Sequence, residues 1–427
     1  MYAIIFLIIG GCVMGLSRGG VTHQELAPYT RIVGRQVTLQ GTVSEDIDIG
    51  KSGELVMRLK DIRINNHALA GTVWISSGAK KVDIRRSDSV TVKGKLATGF
   101  GSFAGSMYRA ALVKVERLVP GDQALQARDW FSDGVRRAIS EPEASLGVGY
   151  LVGQRRSLPP ELDDALRMAG LMHVVVASGY NLTILVRLAR RLFVKISKYL
   201  ATVSAGGMIV AFVAVTGLSP SMSRAGLVAG LSLAAWYYGR KFHPLVLLPF
   251  AAAVTLLINP SYGWNDLGWQ LSFAAFAGVM VLAPLMQAYF FGDKKPGTVR
   301  QILGETMSAQ LVTFPILVVA FGQFSNVAIF ANILILPLVP LAMLLTFIAG
   351  IGAIVSPVIT PIIGLPAQWL LHYMTTAARY VADLPWAQTE ITIPPIIAYG
   401  GYIVLAGLCF YMWRKTKFTL RDSSIIE

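Results

Sequence analysis

Gly170-Leu-Met-His173-Val-Val-Val-Ala-Ser178-Gly-Tyr-Asn181-Leu-Thr-Ile-Leu-Val186 is apolar enough to enter a bilayer, yet it carries a His, a Ser-Gly pair, a Tyr and an Asn. Polar groups in hydrocarbon need partners or water, so a helix that only touches lipid has little use for them. The sequence before this stretch reads as a small β domain tethered by one hydrophobic segment. The sequence after it reads as membrane.

Composition agrees. Of 427 residues 54% are hydrophobic and 15% charged, with mean hydropathy +0.56, the profile of a polytopic helical membrane protein. The net charge of +14 has two readings: Lys and Arg retained in cytoplasmic loops, or a surface for polyanions. Cys12 and Cys409 each lie inside a hydrophobic segment, which argues against a disulfide framework. His23, His67, His173, His243 and His372 show no zinc-type spacing, and no Gly-x-x-x-x-Gly-Lys phosphate loop occurs. The sequence therefore predicts no metal site, no cofactor and no ATPase.

Residues 1–16 form a short apolar run read as a retained transmembrane anchor, a cleaved signal peptide being the alternative. Residues 33–119 alternate with period two: Val37, Leu39, Gly41 and Val43; Leu55, Met57 and Leu59; Val73 and Ile75; Val90, Val92 and Gly94; then Leu112, Val113 and Val115. Turn material at Gly50-Lys51-Ser52-Gly53 and Asn65-Asn66 separates the runs. About five strands around a small core predict an OB-like barrel; an SH3-like barrel or small sandwich gives the same pattern. Arg58, Lys60, Arg63, Lys80, Lys81, Arg85, Arg86, Lys93 and Lys95 are interleaved with Trp74, Phe100, Phe103 and Tyr108. Bases stack on aromatic faces while cations track phosphates, so the mixture suits single-stranded nucleic acid. The alternative is a solvated face over a core that contains Trp74.

Residues 120–140 place Trp130, Phe131, Val135 and Ile139 on one side and Arg128, Arg136 and Arg137 on the other, an amphipathic connector expected to lie on the membrane. Residues 141–413 form the membrane domain, and 414–427 a basic cytoplasmic tail. If 170–189 crosses inward, Arg187, Arg190, Arg191, Lys195 and Lys198 stay in the cytoplasm, and later segments alternate. These are 199–217, 225–238, 245–258, 267–290, 302–321 and 327–355. Residues 359–381 cross or lie at the interface, and 391–413 ends before Arg414, Lys415, Lys417 and Arg421. The barrel then faces the exterior.

Several membrane segments carry groups that are costly in hydrocarbon. Arg224 follows a Pro and a run of Ser; Asp266 and Gln270 follow Asn259-Pro260; Gln310, Gln323, Asn326 and Asn332 come next. Such residues face one another or water. Two readings stand: a hydrophilic path through the bundle, or helix ends stabilised at the water interface. His173, Ser178 and Asn181 favour the path.

These motifs resemble the ComEC-type DNA internalisation proteins of natural competence. The resemblance rests on Glu141-Pro142, Gly149-Tyr-Leu-Val-Gly153-Gln-Arg, Leu158-Pro159 and Gly170-Leu-Met-His173 with Ser178-Gly179. It extends through Thr216-Gly217, Pro220-Ser221 and Arg224-Ala225; Asn259-Pro260 with Gln270-Leu-Ser-Phe273; and Gln310, Pro315, Phe321-Gly322-Gln323-Phe324-Ser325, Asn332 and Pro337. Family members commonly continue Ser-Gly-Leu-His, whereas this chain has Ser178-Gly179-Tyr180-Asn181. Many also carry a metallo-β-lactamase-like domain, and no His-x-His-x-Asp-His cluster follows Trp413.

The resemblance implies a channel in the cytoplasmic membrane that passes single-stranded DNA inward, with the barrel as outer vestibule. A separate DNA receptor, nuclease and cytoplasmic ATPase or helicase would be its partners. His173, Ser178, Asn181, Arg224, Asp266, Gln270, Gln310 and Asn332 are expected to line or shape the path, with Asp266 holding Arg224 or capping a helix. Arg58, Lys60, Arg63, Trp74, Arg85, Arg86, Phe103 and Tyr108 are expected to bind DNA on the barrel. A secondary transporter for a small solute is the alternative. An enzyme using His173 or Ser178 lacks a spaced activating carboxylate or second His.

Overall fold

A computed structural model of the chain describes residues 2–418 other than 51–52, 65–66, 79–81, 118–120, 155–157, 176–177, 218, 241–242, 293–295, 357 and 359. The turns expected at Lys51-Ser52 and Asn65-Asn66, the cations Lys80, Lys81, Lys294 and Lys295, and the tail beyond Phe418 lie outside the described residues. Two compact units are present: Met1–Gln126 with Ala253–Leu267, and Ala127–Ala252 with Gly268–Glu427.

The first unit opens with α1 (Tyr2–Ile32), which runs well past the apolar segment expected to end at Leu16. Leu26, Tyr29 and Ile32 recur every three residues and pack on the β core, with Tyr29 buried, so the second half of the helix belongs to the barrel. The strands are β1 (Gln36–Val43), β2 (Asp48–Ile49), β3 (Leu55–Ile64), β4 (His67–Leu69), β5 (Val73–Ser77), β6 (Ser89–Thr98) and β7 (Gly105–Glu116). β1 pairs antiparallel with both β3 and β6, β3 pairs with β5, β5 runs parallel to β7, and β7 returns to β6. The five long strands therefore close in the cyclic order β1-β3-β5-β7-β6, an OB-like barrel, with β2 and β4 as short additions on β3. Leu39, Met57, Leu59, Val73, Ile75, Val92 and Met107 fill its interior, as period-two patterning requires.

The helices that follow are α2 (Gln123–Ala138), α3 (Glu143–Val152), α4 (Pro160–Met168), α5 (Met172–Val175), α6 (Gly179–Phe193), α7 (Lys198–Thr216), α8 (Pro220–Tyr237), α9 (Pro244–Ile258) and α10 (Tyr262–Asn265). α11 (Leu267–Ala277) continues through a π-helical turn at Gly278–Leu282 into α12 (Ala283–Phe291). Then come α13 (Thr298–Phe321), α14 (Ala328–Ile335), α15 (Val339–Val355), α16 (Thr360–Ala382) and α17 (Pro395–Thr416). A two-stranded pair, β8 (Gln323–Ser325) and β9 (Gln388–Glu390), lies between them. Among the described residues, five stretches are long and apolar enough to cross a membrane: Lys198–Thr216, Leu267–Phe291, Thr298–Phe321, Ala328–Val355 and Pro395–Thr416.

Three expectations change. The opening stretch is not one crossing: α5 has 4 residues and α6 begins anew at an N-cap on Ser178. At 15 residues α6 rises only about 22 Å, short of the roughly 30 Å hydrocarbon layer. α9 is likewise 15 residues long. Finally, most of the apolar face of α2 is covered by protein, with Trp130 left exposed: Phe131 stacks on Phe347 of α15 at 6.0 Å, and Val135 and Ile139 are buried in the main helical core. α3 is buried almost throughout and packs in that same core with α15 and α16.

Candidate functional site

In the helical unit, Arg224 is 8% exposed. Its helix α8 starts at Pro220 after the N-cap Ser219, whose hydroxyl accepts the Met222 N–H. That start places Ser221 and Arg224 one turn apart on the same face. Arg224 Nε donates to Ser272 Oγ of α11 at 2.7 Å, and Ser221 Oγ lies 3.2 Å from the same hydroxyl. The guanidinium carbon sits 4.9 Å from the ring centre of Phe276 and 5.7 Å from that of Phe273. None of the described ion pairs involves Arg224, and the sequence holds no Asp or Glu between Ala165 and Asn265. Aromatic faces and hydroxyls stabilise the cation without neutralising it.

The break between α5 and α6 delivers a second positive element to this cation. Ser178 Oγ accepts the Asn181 N–H at 3.4 Å, and Gly179 opens the helix. A Cβ on Gly179 would lie 3.2 Å from the Ala225 Cβ and 3.5 Å from Arg224 Nη2, so the glycine brings the α6 N-terminus against Arg224. A helix N-terminus carries about half a positive charge. Arg224, Ser221, Ser272 and the Ser178-Gly179 turn therefore make a cluster of donors chemically suited to an anion.

The other expected path residues are placed differently. Asn181 is fully buried and donates from Nδ2 to the carbonyls of Val174 (3.0 Å) and Tyr150 (3.2 Å), tying α6 to α5 and α3. Asn332 is buried, and its Nδ2 reaches Thr306 Oγ1 of α13 at 3.3 Å. Among the described residues the Oδ1 atoms of both have no hydrogen-bond partner. His173 is exposed, with Nδ1 3.0 Å from the Gly170 carbonyl. Gly170 itself has φ +71°, and a Cβ there would sit 2.6 Å from that of Ala328. Gln270 and Gln310 are half-buried on α11 and α13. Asp266 belongs to the barrel unit, where it accepts the Ser102 hydroxyl at 3.2 Å, and Arg224 has Ser272 in the role expected of Asp266. Gln323 forms part of β8, and Asn326 braces the β8–β9 pair through the Trp386 carbonyl and the Thr389 hydroxyl.

Sequence reading missed a buried carboxylate. Glu143 of α3 accepts from Gln368 Nε2 (3.1 Å) and Thr375 Oγ1 (3.3 Å) and lies 2.9 Å from His372 Nδ1, all on α16. The spacing of Gln368, His372 and Thr375 on one helical face was a usable signal. Among the described residues no three His, Cys, Asp or Glu side chains gather as a metal site.

On the barrel, Trp74, Phe100, Phe103 and Tyr108 form a continuous row: Trp74 lies 5.2 Å from Tyr108 and 5.5 Å from Phe100, and Phe100 lies 5.4 Å from Phe103. The rings meet edge-on or tilted; Tyr108 and Phe100 are exposed, Trp74 and Phe103 half-buried. Beside Tyr108 opens a cleft of about 670 Å³ lined by Glu54, Ser76, Ser77 and Arg109. Arg109 has φ +54° where the β6–β7 register shifts, and such bulges re-aim side chains.

Three of the expected DNA-binding cations are already engaged. Arg58 pairs with Glu45 (3.0 Å) and Asp48 (3.3 Å), Arg85 with Asp83 (3.2 Å), and buried Arg86 with Asp122 (2.7 Å). Lys60 and Arg63 are exposed. Arg109 is exposed beside Tyr108 at the cleft.

A family model described as Competence protein matches residues 150–416. The chain is 27% identical over 216 residues to ComE operon protein 3 of Bacillus subtilis (strain 168), covering 49% of this chain and 27% of that relative. It is 22% identical over 238 residues to an uncharacterised protein of Aquifex aeolicus (strain VF5), covering 55% of this chain and 49% of that one. The matched segments thus span half or less of these relatives' lengths, and no solved structure matches significantly. The matched region takes in α6, α8 and α11, which build the Arg224 cluster, and the chain belongs to the competence protein family.

Proposed function

We propose that this chain conducts single-stranded DNA across the cytoplasmic membrane during DNA uptake, with the OB-like barrel outside and the C-terminus in the cytoplasm. The observation that carries the reading is Arg224, a buried cation with no acidic partner among the described residues, facing the N-terminus of α6. A phosphodiester brings one negative charge per nucleotide and crosses a membrane only along a polar path. Ser221 and Ser272 offer neutral contacts that let the strand move on. Around this cluster, Ser178 caps the helix that faces the phosphate and Asn181 fixes that helix. His173, Gln270, Gln310 and Asn332 shape the remainder of the path.

On the barrel, Tyr108 and Phe100 stack bases, backed by Trp74 and Phe103, while Lys60, Arg63 and Arg109 track the backbone. Arg58, Arg85 and Arg86 contribute by fixing the barrel's loops. A receptor that hands over DNA, a nuclease that yields the single strand and a cytoplasmic ATPase or helicase that draws it in are its partners.

Uptake of labelled DNA into cells lacking the protein, complemented by wild type or Arg224→Gln, tests the reading. Internalisation restored by wild type alone supports it. Full restoration by a membrane-inserted Arg224→Gln protein overturns the role of the cluster. A second reading, transport of a small anionic solute, rests on the same cluster and predicts saturable solute flux without DNA entry.

A further inference from the structure

The turn between α6 and α7 presents cations and large apolar side chains together. Arg191, Lys195 and Lys198 alternate with Leu192, Val194, Ile196 and Tyr199, and all seven are exposed. Leu192 is 61% exposed, Ile196 72% and Tyr199 68%. The α8 C-terminus adds aromatic rings to the same patch: Lys198 Nζ lies 5.6 Å from the Trp236 ring centre and 5.7 Å from that of Tyr237. None of the described ion pairs involves Arg191, Lys195 or Lys198, and the sequence carries no Asp or Glu from Ala165 to Asn265.

We propose that this patch binds the phosphate headgroups of anionic phospholipids and seats the α6–α7 turn at the membrane surface. The charge is complementary to such headgroups, and the interleaved aliphatic chains fit the acyl boundary beneath them. The exposed Leu192, Val194 and Ile196 supply acyl-facing area that a single-stranded nucleic-acid site does not need. Aromatic rings beside the cations suit the headgroup layer. Each cation near an anionic surface strengthens binding roughly fivefold. The proposal stands apart from the DNA reading, because the patch does not include Arg224 or the barrel face.

The test uses the full chain in detergent, titrated with phosphatidylglycerol and read by thermal unfolding and by lipid retained in native mass spectrometry. Wild type should gain thermal stability and retain phosphatidylglycerol, while phosphatidylcholine and inorganic phosphate leave it unchanged. The Arg191→Gln/Lys195→Gln/Lys198→Gln variant should lose most of the response. The Arg191→Gln/Lys195→Gln pair, which spares the Lys198 ring contacts, should lose roughly 25-fold in apparent affinity. An undiminished phosphatidylglycerol response in both variants overturns the proposal. So does protection by an oligothymidine that these substitutions abolish while the lipid response persists.

Discussion

Arg224 and Ser272 meet through a 2.7 Å hydrogen bond from Nε to Oγ, which leaves the two terminal nitrogens of the guanidinium without a protein acceptor among the described residues. Burying a cation costs several kcal/mol, and here no carboxylate offsets that cost. The arrangement persists because the rings of Phe273 and Phe276 and the Ser272 hydroxyl share the load, with an anion able to complete it. Arg224→Gln should lower DNA internalisation at least tenfold with the protein still in the membrane. Ser272→Ala, which only loosens the guanidinium, should lower it less. Uptake assays with matched membrane levels check the order.

Asn181 faces the protein interior and bridges two backbone carbonyls. Asn181→Leu leaves the Tyr150 and Val174 carbonyls unpaired, costing about 2–4 kcal/mol and lowering the thermal midpoint of the purified protein. A side chain that lined a wet path would tolerate Leu with an unchanged midpoint.

The sequence and the structure part where local pattern stops deciding. Period-two runs from Val37 to Val115 specified the barrel, because each strand has one buried face. The Pro and Ser run before Arg224 is legible as a helix end, whereas 170–189 reads as one crossing and the N-cap on Ser178 emerges only in the structure. Which polar residue meets which is not legible. Asn181 and Arg224 both read as intramembrane polar groups, yet one is a backbone clamp and the other is a cation without an acidic partner among the described residues. Asp266 reads as holding Arg224 or capping a helix, and it accepts a hydrogen bond from Ser102, 164 positions away in sequence. Arg58, Arg85 and Arg86 each meet a carboxylate, a pairing that the charge pattern alone does not encode.

Gly278 sits in the π-helical turn between α11 and α12, where an added Cβ would lie 2.5 Å from the Ser308 carbonyl oxygen of α13. Since that neighbour is backbone, relief requires the helices to separate. Gly278→Val should therefore destabilise by about 1–3 kcal/mol, read as a lower thermal midpoint in detergent. An unchanged midpoint would show that the two helices do not approach this closely.

Asp122 caps α2, its Oδ1 accepting the Leu125 N–H at 3.0 Å, and it pairs with Arg86. Burial alone would raise its carboxyl, but the hydrogen bonds from Arg86, Leu125 and Ser87 more than offset this and hold it below its ordinary value near 3.8. A depressed folded-state pKa means the contribution is complete above about pH 4 and is lost as pH falls through the folded value. Arg86→Met should cost about 2–4 kcal/mol at pH 7, seen as faster amide exchange in β1 and β6, with the difference from wild type narrowing below about pH 4. A constant difference down to pH 3 would show that the pair is not its source.

The aromatic row separates a base platform from a packed surface by the behaviour of its two exposed members. Tyr108 touches Trp74 at 5.2 Å and borders the cleft that Arg109 lines, so its outer face is open to a base. Tyr108→Ala and Phe100→Ala should each weaken oligothymidine binding by about 1–3 kcal/mol. Tyr108→Phe should bind almost as wild type, because stacking needs the ring and not the hydroxyl. Arg109→Gln should instead reduce the salt dependence of binding by about one charge unit, leaving base stacking intact. Binding isotherms at several salt concentrations distinguish these outcomes: a change in salt slope marks a phosphate contact, while an equal loss at every salt marks a stacking one. Wild-type affinity in both alanine variants would reduce the row to packing around Trp74 and place DNA capture elsewhere.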